Sequence, residues 1–110
     1  MADLYHLTLP EHWAQAQQDG AITMSTRDVT LEDEGFVHCS HAEQVAATAA
    51  RFFGDIDEVV LLRIDPALLT SPLMVEDLTG SGQQFPHVYG PIPVAAVTDV
   101  RLTSPHDTGL

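Results

Sequence analysis

The sequence predicts an α+β fold in which two main helices pack on a twisted mixed or antiparallel sheet. Helical spacing of apolar residues occurs in two segments, near residues 9–20 and 41–54. The other patterned segments alternate in polarity or are continuously apolar, as strands are. The predicted order is β, α, β, β, α and then mostly strands, and helices segregated in this way are typical of α+β proteins.

Length and charge limit the classes of protein to consider. The 110 residues predict one domain over residues 1–103 and a frayed tail over 104–110 that includes His106. Sixteen acidic residues against four arginines give a net charge of −12, which excludes a basic surface for long nucleic acid. No leader and no apolar run long enough for a bilayer is present, so we expect a cytoplasmic protein without membrane contact. The sequence leaves the oligomeric state open.

The N-terminal elements follow from local patterns. Residues 4–8 alternate as a strand, with Leu4, His6 and Thr8 on one face. Thr8 and Glu11 have capping-box spacing, and Pro10 suits a first helical turn, so a helix is expected up to Gly20. A short strand over residues 21–25 and an exposed acidic loop over 27–34 should follow.

Residues 36–40 read as a short strand that leads directly into the second helix. Ser40 and Glu43 have capping-box spacing, which predicts Ser40 as the cap. Gly54 should end the helix. Its predicted buried face consists of Ala42, Val45, Ala46, Ala49, Phe52 and Phe53.

The C-terminal half is predicted to be mainly strands. The continuously apolar segment 59–64 should be a central strand, and Leu68 and Leu69 should lie on a helical turn. Further strands are expected over 73–78 and 94–102, with residues 80–82 as the most flexible stretch and 85–91 between them.

Three histidines in strand-like segments, His6, His38 and His87, are the candidate catalytic residues. Imidazole titrates near neutral pH, so a cluster of them suits general acid–base chemistry or metal binding, whereas each alone also suits a structural role. Candidate ligand-binding residues are Thr8 on the His6 face, Ser40 at a helix start, Tyr89 beside His87, and the cation Arg63, with Arg27 as a second cation. The plain alternatives are helix capping by Ser40 and ion pairing by the arginines.

No metal site is predicted, because paired ligand spacings are absent. The segment 38–41 contains His38, Cys39 and His41, but strand alternation turns Cys39 away from His38 and towards the core. The same alternation predicts a structural rather than a nucleophilic Cys39.

Four stretches together resemble a known bacterial family. They are residues 4–8, 34–40, 61–65 and 85–91, and on them the chain is identified as a member of the domain-of-unknown-function family nine-five-two. That family resembles in fold the ADP-ribosyltransferases and the tRNA 2'-phosphotransferases, which use NAD. Residues 5–8 are similar to the Tyr-His-Gly-Thr strand of those enzymes, whose histidine contacts the NAD ribose. Leu7 replaces the glycine, and strand order alone offers Glu76 for the catalytic glutamate.

The resemblance implies a histidine-lined cleft that binds a nucleotide-like or phosphorylated small molecule, with NAD as the candidate cofactor for ADP-ribosyl or phosphate transfer. In that case His6 orients the ribose, His38 or His87 acts as general acid or base, and the helix start at Ser40 holds a phosphate. The sequence leaves open whether the protein is an enzyme. One alternative is a non-catalytic ligand-binding or interaction module, and another is a histidine metal site with hydrolytic activity.

Overall fold

The computed structural model describes residues 2–110 as an α+β fold of eight strands and three α-helices. The strands are β1 Leu4–Thr8, β2 Ala21–Ile22, β3 Val37–His38, β4 Val59–Ile64, β5 Leu73–Glu76, β6 Phe85–Val88, β7 Ile92–Pro93 and β8 Val97–Thr103. The helices are α1 Pro10–Asp19, α2 Leu31–Glu34 and α3 Val45–Phe53, with 3-10 turns at Ala42–Gln44, Pro66–Leu68 and Val94–Ala96. In the part of the chain described, no helix is long and apolar enough to cross a membrane.

The strands form two three-stranded sheets, β1–β4–β8 and β3–β6–β5, and a small pair, β2–β7. Every ladder is antiparallel. The apolar strand β4 is central, as its composition predicted. The two larger sheets meet where Tyr5 and Ser40 exchange backbone hydrogen bonds of 2.9 and 2.8 Å.

The two main helices cover opposite faces of the β1–β4–β8 sheet. Ala16 of α1 lies in the core with Leu4 and Leu62, whereas Ala49 of α3 packs with Leu7. Alternation along β1 and β4 explains this division, because successive side chains point to opposite faces. The predicted arrangement of two helices on a sheet is therefore confirmed.

Helix α1 begins and ends where expected but is capped differently. Pro10 occupies the first turn, and Gly20 ends the helix at a φ of 83°. The predicted Thr8–Glu11 capping box is wrong, because Thr8 stays in β1 opposite Val60 and Leu9 becomes the residue before the helix.

The acidic connector is not simply a loop. It contains α2, whose first turn is capped by the Thr30 hydroxyl accepting from the Asp33 amide at 3.1 Å. Gly35 ends this turn at a φ of 93°, a backbone conformation that costs other residues energy.

The start of the second main helix differs from the Ser40 capping prediction. His41 precedes the first turn, and its amide donates to the Gln44 side chain at 3.0 Å. Ser40 instead pairs with Tyr5, and its hydroxyl donates to Thr48 at 3.5 Å.

The buried face of α3 is narrower than predicted. Val45, Ala49 and Phe53 are four residues apart and lie in the core, whereas Ala46 is exposed. Phe52 is 39% exposed, so its assignment to the core is wrong. A residue three positions from Ala49 lies at the border of the buried stripe rather than at its centre.

Two segments predicted to be loosely held have specific contacts. Asp77 accepts the Gly82 amide at 2.7 Å and so organises the turn over 80–82. The frayed tail is a wrong prediction, because Pro105 is buried, Thr108 is 4% exposed, and the His106 ring donates through Nε2 to the Gly54 carbonyl at 2.8 Å. The tail is held because the chain turns back at Ser104–Asp107 onto the end of α3.

Candidate functional site

The histidine–aromatic cluster lies on β3, β5 and β6, and two of the predicted catalytic residues are in it. We use this name for Phe36, His38, Glu76, Phe85, His87 and Tyr89. The antiparallel ladder of β3 and β6 places His38 directly opposite His87, with ring centroids 5.5 Å apart. Phe85 lies 5.1 Å from His38, and Phe36 stacks on His87 at 3.9 Å. Aromatic rings thus flank both imidazoles.

Glu76 connects His87 and Tyr89. One carboxylate oxygen, Oε1, accepts from His87 Nδ1 at 2.9 Å and also from the Tyr89 hydroxyl. The bonds from Tyr89 and then His87 lower the pKa of Glu76, so its carboxylate is ionised at neutral pH. A carboxylate only accepts, so Nδ1 must carry the proton, and in the neutral ring Nε2 then has a free lone pair. The hydrogen bond to Glu76 also raises the pKa of Tyr89.

His6 lies beneath the cluster and supports its backbone. The ring is 2% exposed, and Nδ1 donates to the His38 carbonyl at 2.7 Å. Burial lowers the pKa of His6 to about 4, so the ring is neutral near pH 7. Its Nε2 is buried without a hydrogen-bond partner among the described residues.

His38 is also neutral at physiological pH. Burial, followed by the proximity of His87 and His6, lowers its pKa to about 4. Its Nε2 is buried and has no partner among residues 2–110. Such an atom offers an unused hydrogen-bonding position, which normally costs stability unless water or a ligand occupies it.

A small cavity of about 10 Å³ adjoins His38, close to the volume that one water needs. Four hydroxyl groups contribute to its wall. Its lining residues are Leu7, Ser25, Thr26, His38, Ser40, Thr48, Phe52 and Phe53. The wall therefore offers hydrogen bonds but no charged side chain.

Two predicted binding residues lie elsewhere. Thr8 lines a separate cavity of about 100 Å³ between α1 and β2, together with His12 and Trp13. Arg63 pairs with Asp3 at 2.6 Å and shares its sheet face with Tyr5, opposite the face of His6. Ser40 and Tyr89, in contrast, lie where the sequence placed them, beside His38 and His87 respectively.

Phe52 lies beside His38, although the sequence predicted it as a core residue. The Arg51 guanidinium lies 5.2 Å from the Phe52 ring centroid, and Arg27 donates to the Phe52 carbonyl at 3.4 Å while it pairs with Asp55. The Phe52 ring contacts His38 edge-on, with centroids 6.3 Å apart. Phe52 directly follows Arg51 in the sequence, and this neighbouring cation was the available signal.

Cys39 is a core residue, as alternation predicted. It is buried, and burial raises the pKa of its thiol to about 12. A thiol in this state does not supply the thiolate that nucleophilic chemistry requires. No group of three or more His, Cys, Asp or Glu side chains within residues 2–110 is arranged to hold a metal ion.

Residues 7–100 match the family described as "Protein of unknown function (DUF952)". The chain belongs to this family. It is similar to the crystal structure of Protein CC0527 from Caulobacter crescentus, with 31% identity and a TM-score of 0.79 over 92% of this chain and 85% of that one. A double methionine variant of that protein gives 29% identity and a TM-score of 0.78, again over 92% and 85% of the two chains. No curated protein sequence matches.

Proposed function

We propose that this DUF952 protein binds a small nucleotide-like or phosphorylated molecule at the histidine–aromatic cluster. The observation that carries the proposal is Glu76, which accepts from His87 Nδ1 at 2.9 Å beside a neutral His38. Carboxylate–imidazole pairs of this kind fix a tautomer and leave Nε2 available to a ligand. Tyr89, which is 38% exposed and lies 5.5 Å from the buried Phe36 ring, offers flat apolar surface for a base or a similar ring.

If the site is catalytic, His87 is the general base. Glu76 orients its ring and would stabilise the imidazolium formed when Nε2 takes a proton from the ligand. His6 and His38, whose pKa values are about 4, lack the proton that a general acid must donate at neutral pH. Their better role is to hold the site and to offer a neutral hydrogen-bonding position.

The charge around the site favours a ligand with few negative charges. The cavity wall beside His38 has hydroxyls and no cation, and the whole chain carries a net charge of −12. Arg51 above Phe52 is the cation placed to compensate one phosphate. A mononucleotide or a phosphorylated metabolite therefore fits better than a polyanion.

An ADP-ribosyltransferase-like fold and NAD-dependent transfer are the finer form of this proposal. The junction at Tyr5 and Ser40 supports it, because it brings His6 of β1 into hydrogen-bond contact with the His38 carbonyl of β3. The burial of His6 weighs against direct contact with a ribose, since only Nε2 is unengaged. We assign His6 a positioning role instead, through the His38 carbonyl. A buried free thiol at Cys39 supports the reducing cytoplasm as the location.

A non-catalytic ligand-binding module is the second candidate. The neutrality of both His6 and His38 favours it, because it leaves a single imidazole for acid–base work. Binding alone needs only the aromatic surfaces and the unused Nε2 of His38.

The test is an NMR titration of amide and imidazole signals with NAD, ADP-ribose, AMP and inorganic phosphate. We expect saturable shifts at His38, His87 and Tyr89 with at least one nucleotide. His87→Ala and Glu76→Gln should each weaken binding, whereas Glu58→Gln, a matched change at an exposed position, should not. Absence of shifts with all four compounds at about 5 mM, a concentration that detects even weak binding, would remove the proposal. Shifts with AMP or phosphate but not with NAD would retain binding and remove NAD-dependent transfer.

A further inference from the structure

The outer edge of β8 is an unpaired strand on the surface of the molecule. β8 pairs with β4 on one side and ends the sheet on the other. Val100 and Leu102 are 48% and 56% exposed along it. Its seven residues, Val97–Thr103, contain no proline or lysine, the residues that commonly protect exposed edges from pairing. Such an edge is a template for another strand.

We propose that β8 pairs with β8 of a second copy of this chain to form a two-fold symmetric antiparallel dimer. Two-fold symmetry requires that one residue of the strand face its own copy. Val97–Thr103 is centred on Val100, so the register with Val100 opposite Val100 gives the longest overlap of the strand with its copy. The ladder of β8 with β4 shifts register between Arg63 and Ile64, so the regular part of the new pairing is centred on Asp99, Val100 and Arg101. Pairing about any other residue leaves part of the strand unpaired.

The charges select the same register. With Val100 on the axis, Asp99 of each copy lies opposite Arg101 of the other. Shifting the axis to Asp99 or Arg101 would oppose like charges directly, which destabilises a strand pair. Asp99 and Arg101 are both 54% exposed and approach each other within the chain only to 3.8 Å, so both are available.

The neighbouring strand extends the pattern across the sheet. Arg63 of β4 lies opposite Asp99 in the ladder and is itself bound by Asp3 at 2.6 Å. Dimerisation would therefore continue an alternating row of Asp3, Arg63, Asp99 and the Arg101 of the second copy on one sheet face. Across the opposite face, exposed Val100 and Leu102 would lose contact with water.

Analytical ultracentrifugation of the full chain from about 10 μM to about 1 mM tests the proposal, since an edge contact is expected to be of moderate affinity. We expect a concentration-dependent dimer for the wild type. Arg101→Asp and Asp99→Arg should each be monomeric, because each places like charges opposite one another. An equimolar mixture of the two variants should dimerise again, because every Asp then faces an Arg.

Glu32→Arg is the control for a change of charge at an exposed position in α2, and it should dimerise like the wild type. Circular dichroism confirms that each variant is folded. A wild type that stays monomeric at the highest concentration would overturn the proposal. The proposal would also be overturned if the Arg101→Asp variant, without the Asp99→Arg variant present, dimerised with the affinity of the wild type.

Discussion

Acid should destabilise this protein through His6 and His38, and the structure gives the size of the effect. The folded-state pKa of each is lowered from 6.5 to about 4, so between these values the unfolded chain binds more protons than the folded one. The free energy of unfolding therefore falls as the pH falls through this window. From pH 7 to 5 the loss is about 2 kcal/mol for each histidine, or about 4 kcal/mol together. That is a large part of the stability of an ordinary domain.

His6→Asn isolates one contribution. The asparagine amide can donate to the His38 carbonyl as Nδ1 does, but it does not titrate. Urea unfolding at pH 7 and pH 5 should show about half of the wild-type acid loss, or about 2 kcal/mol, in the variant. Leu62→Val is the matched control, because Leu62 lies directly opposite His6 and carries no titratable group. It should lower stability equally at both pH values.

Two results would refute this reasoning. One is an acid loss in His6→Asn equal to that of the wild type. The other is a His6 imidazole NMR signal that titrates near pH 6.5 in the folded protein. A buried neutral ring should keep the same chemical shift from pH 7 to pH 5.

Three further predictions concern other parts of the chain. Cys39 should not react with a disulfide reagent until the protein unfolds, since burial raises the pKa of its thiol to about 12; rapid labelling of the folded protein would contradict this. Gly35→Ala should cost about 1–2 kcal/mol in urea unfolding, because its φ of 93° is unfavourable for a residue with a Cβ. Removal of residues 104–110 should cost about 2 kcal/mol by exposing apolar surface around Pro105 and lower the melting temperature, whereas removal of the exposed Leu110 alone should not.

Local patterns predicted the features that one element determines by itself. The continuous apolar run predicted that β4 is central, and alternation predicted that Cys39 is in the core. Gly20 predicted the end of α1. In each case the physical cause lies within a few residues of the feature.

Features that depend on distant partners did not follow from the sequence. The side of the sheet on which Arg63 lies depends on the register of β4 against β1, in which Leu62 rather than Arg63 faces His6. Ser40 does not cap the helix because its backbone pairs with Tyr5, which is far away in the chain, and its hydroxyl donates to Thr48. The tail is held by the hydrogen bond from His106 to the Gly54 carbonyl, and the hydrophobic pattern of the sequence does not predict this contact.

The site was partly predictable for the same reason. His38 and His87 share an antiparallel pair, so their strand positions were enough to suggest convergence. The partnership of Glu76 with both His87 and Tyr89 needs the β5–β6 register, and the sequence offered Glu76 by strand order alone. The role of Phe52 was hidden because an apolar residue in a helix is usually assigned to the core.

The junction between the two large sheets has a consequence for how the molecule moves. Two backbone bonds join Tyr5 to Ser40, and the bond from His6 Nδ1 to the His38 carbonyl lies beside them. The His6 imidazole thus adds a third hydrogen bond between the two sheets, where their backbone pairing ends. This junction is short compared with the five-residue pairing of β1 and β4. Amide hydrogens along β4 should therefore exchange slowly, and the amide of Ser40 should exchange faster. Separating the two sheets at this junction would break these bonds, and it would also part the core that Leu4 and Leu62 share with Val37 and Val88.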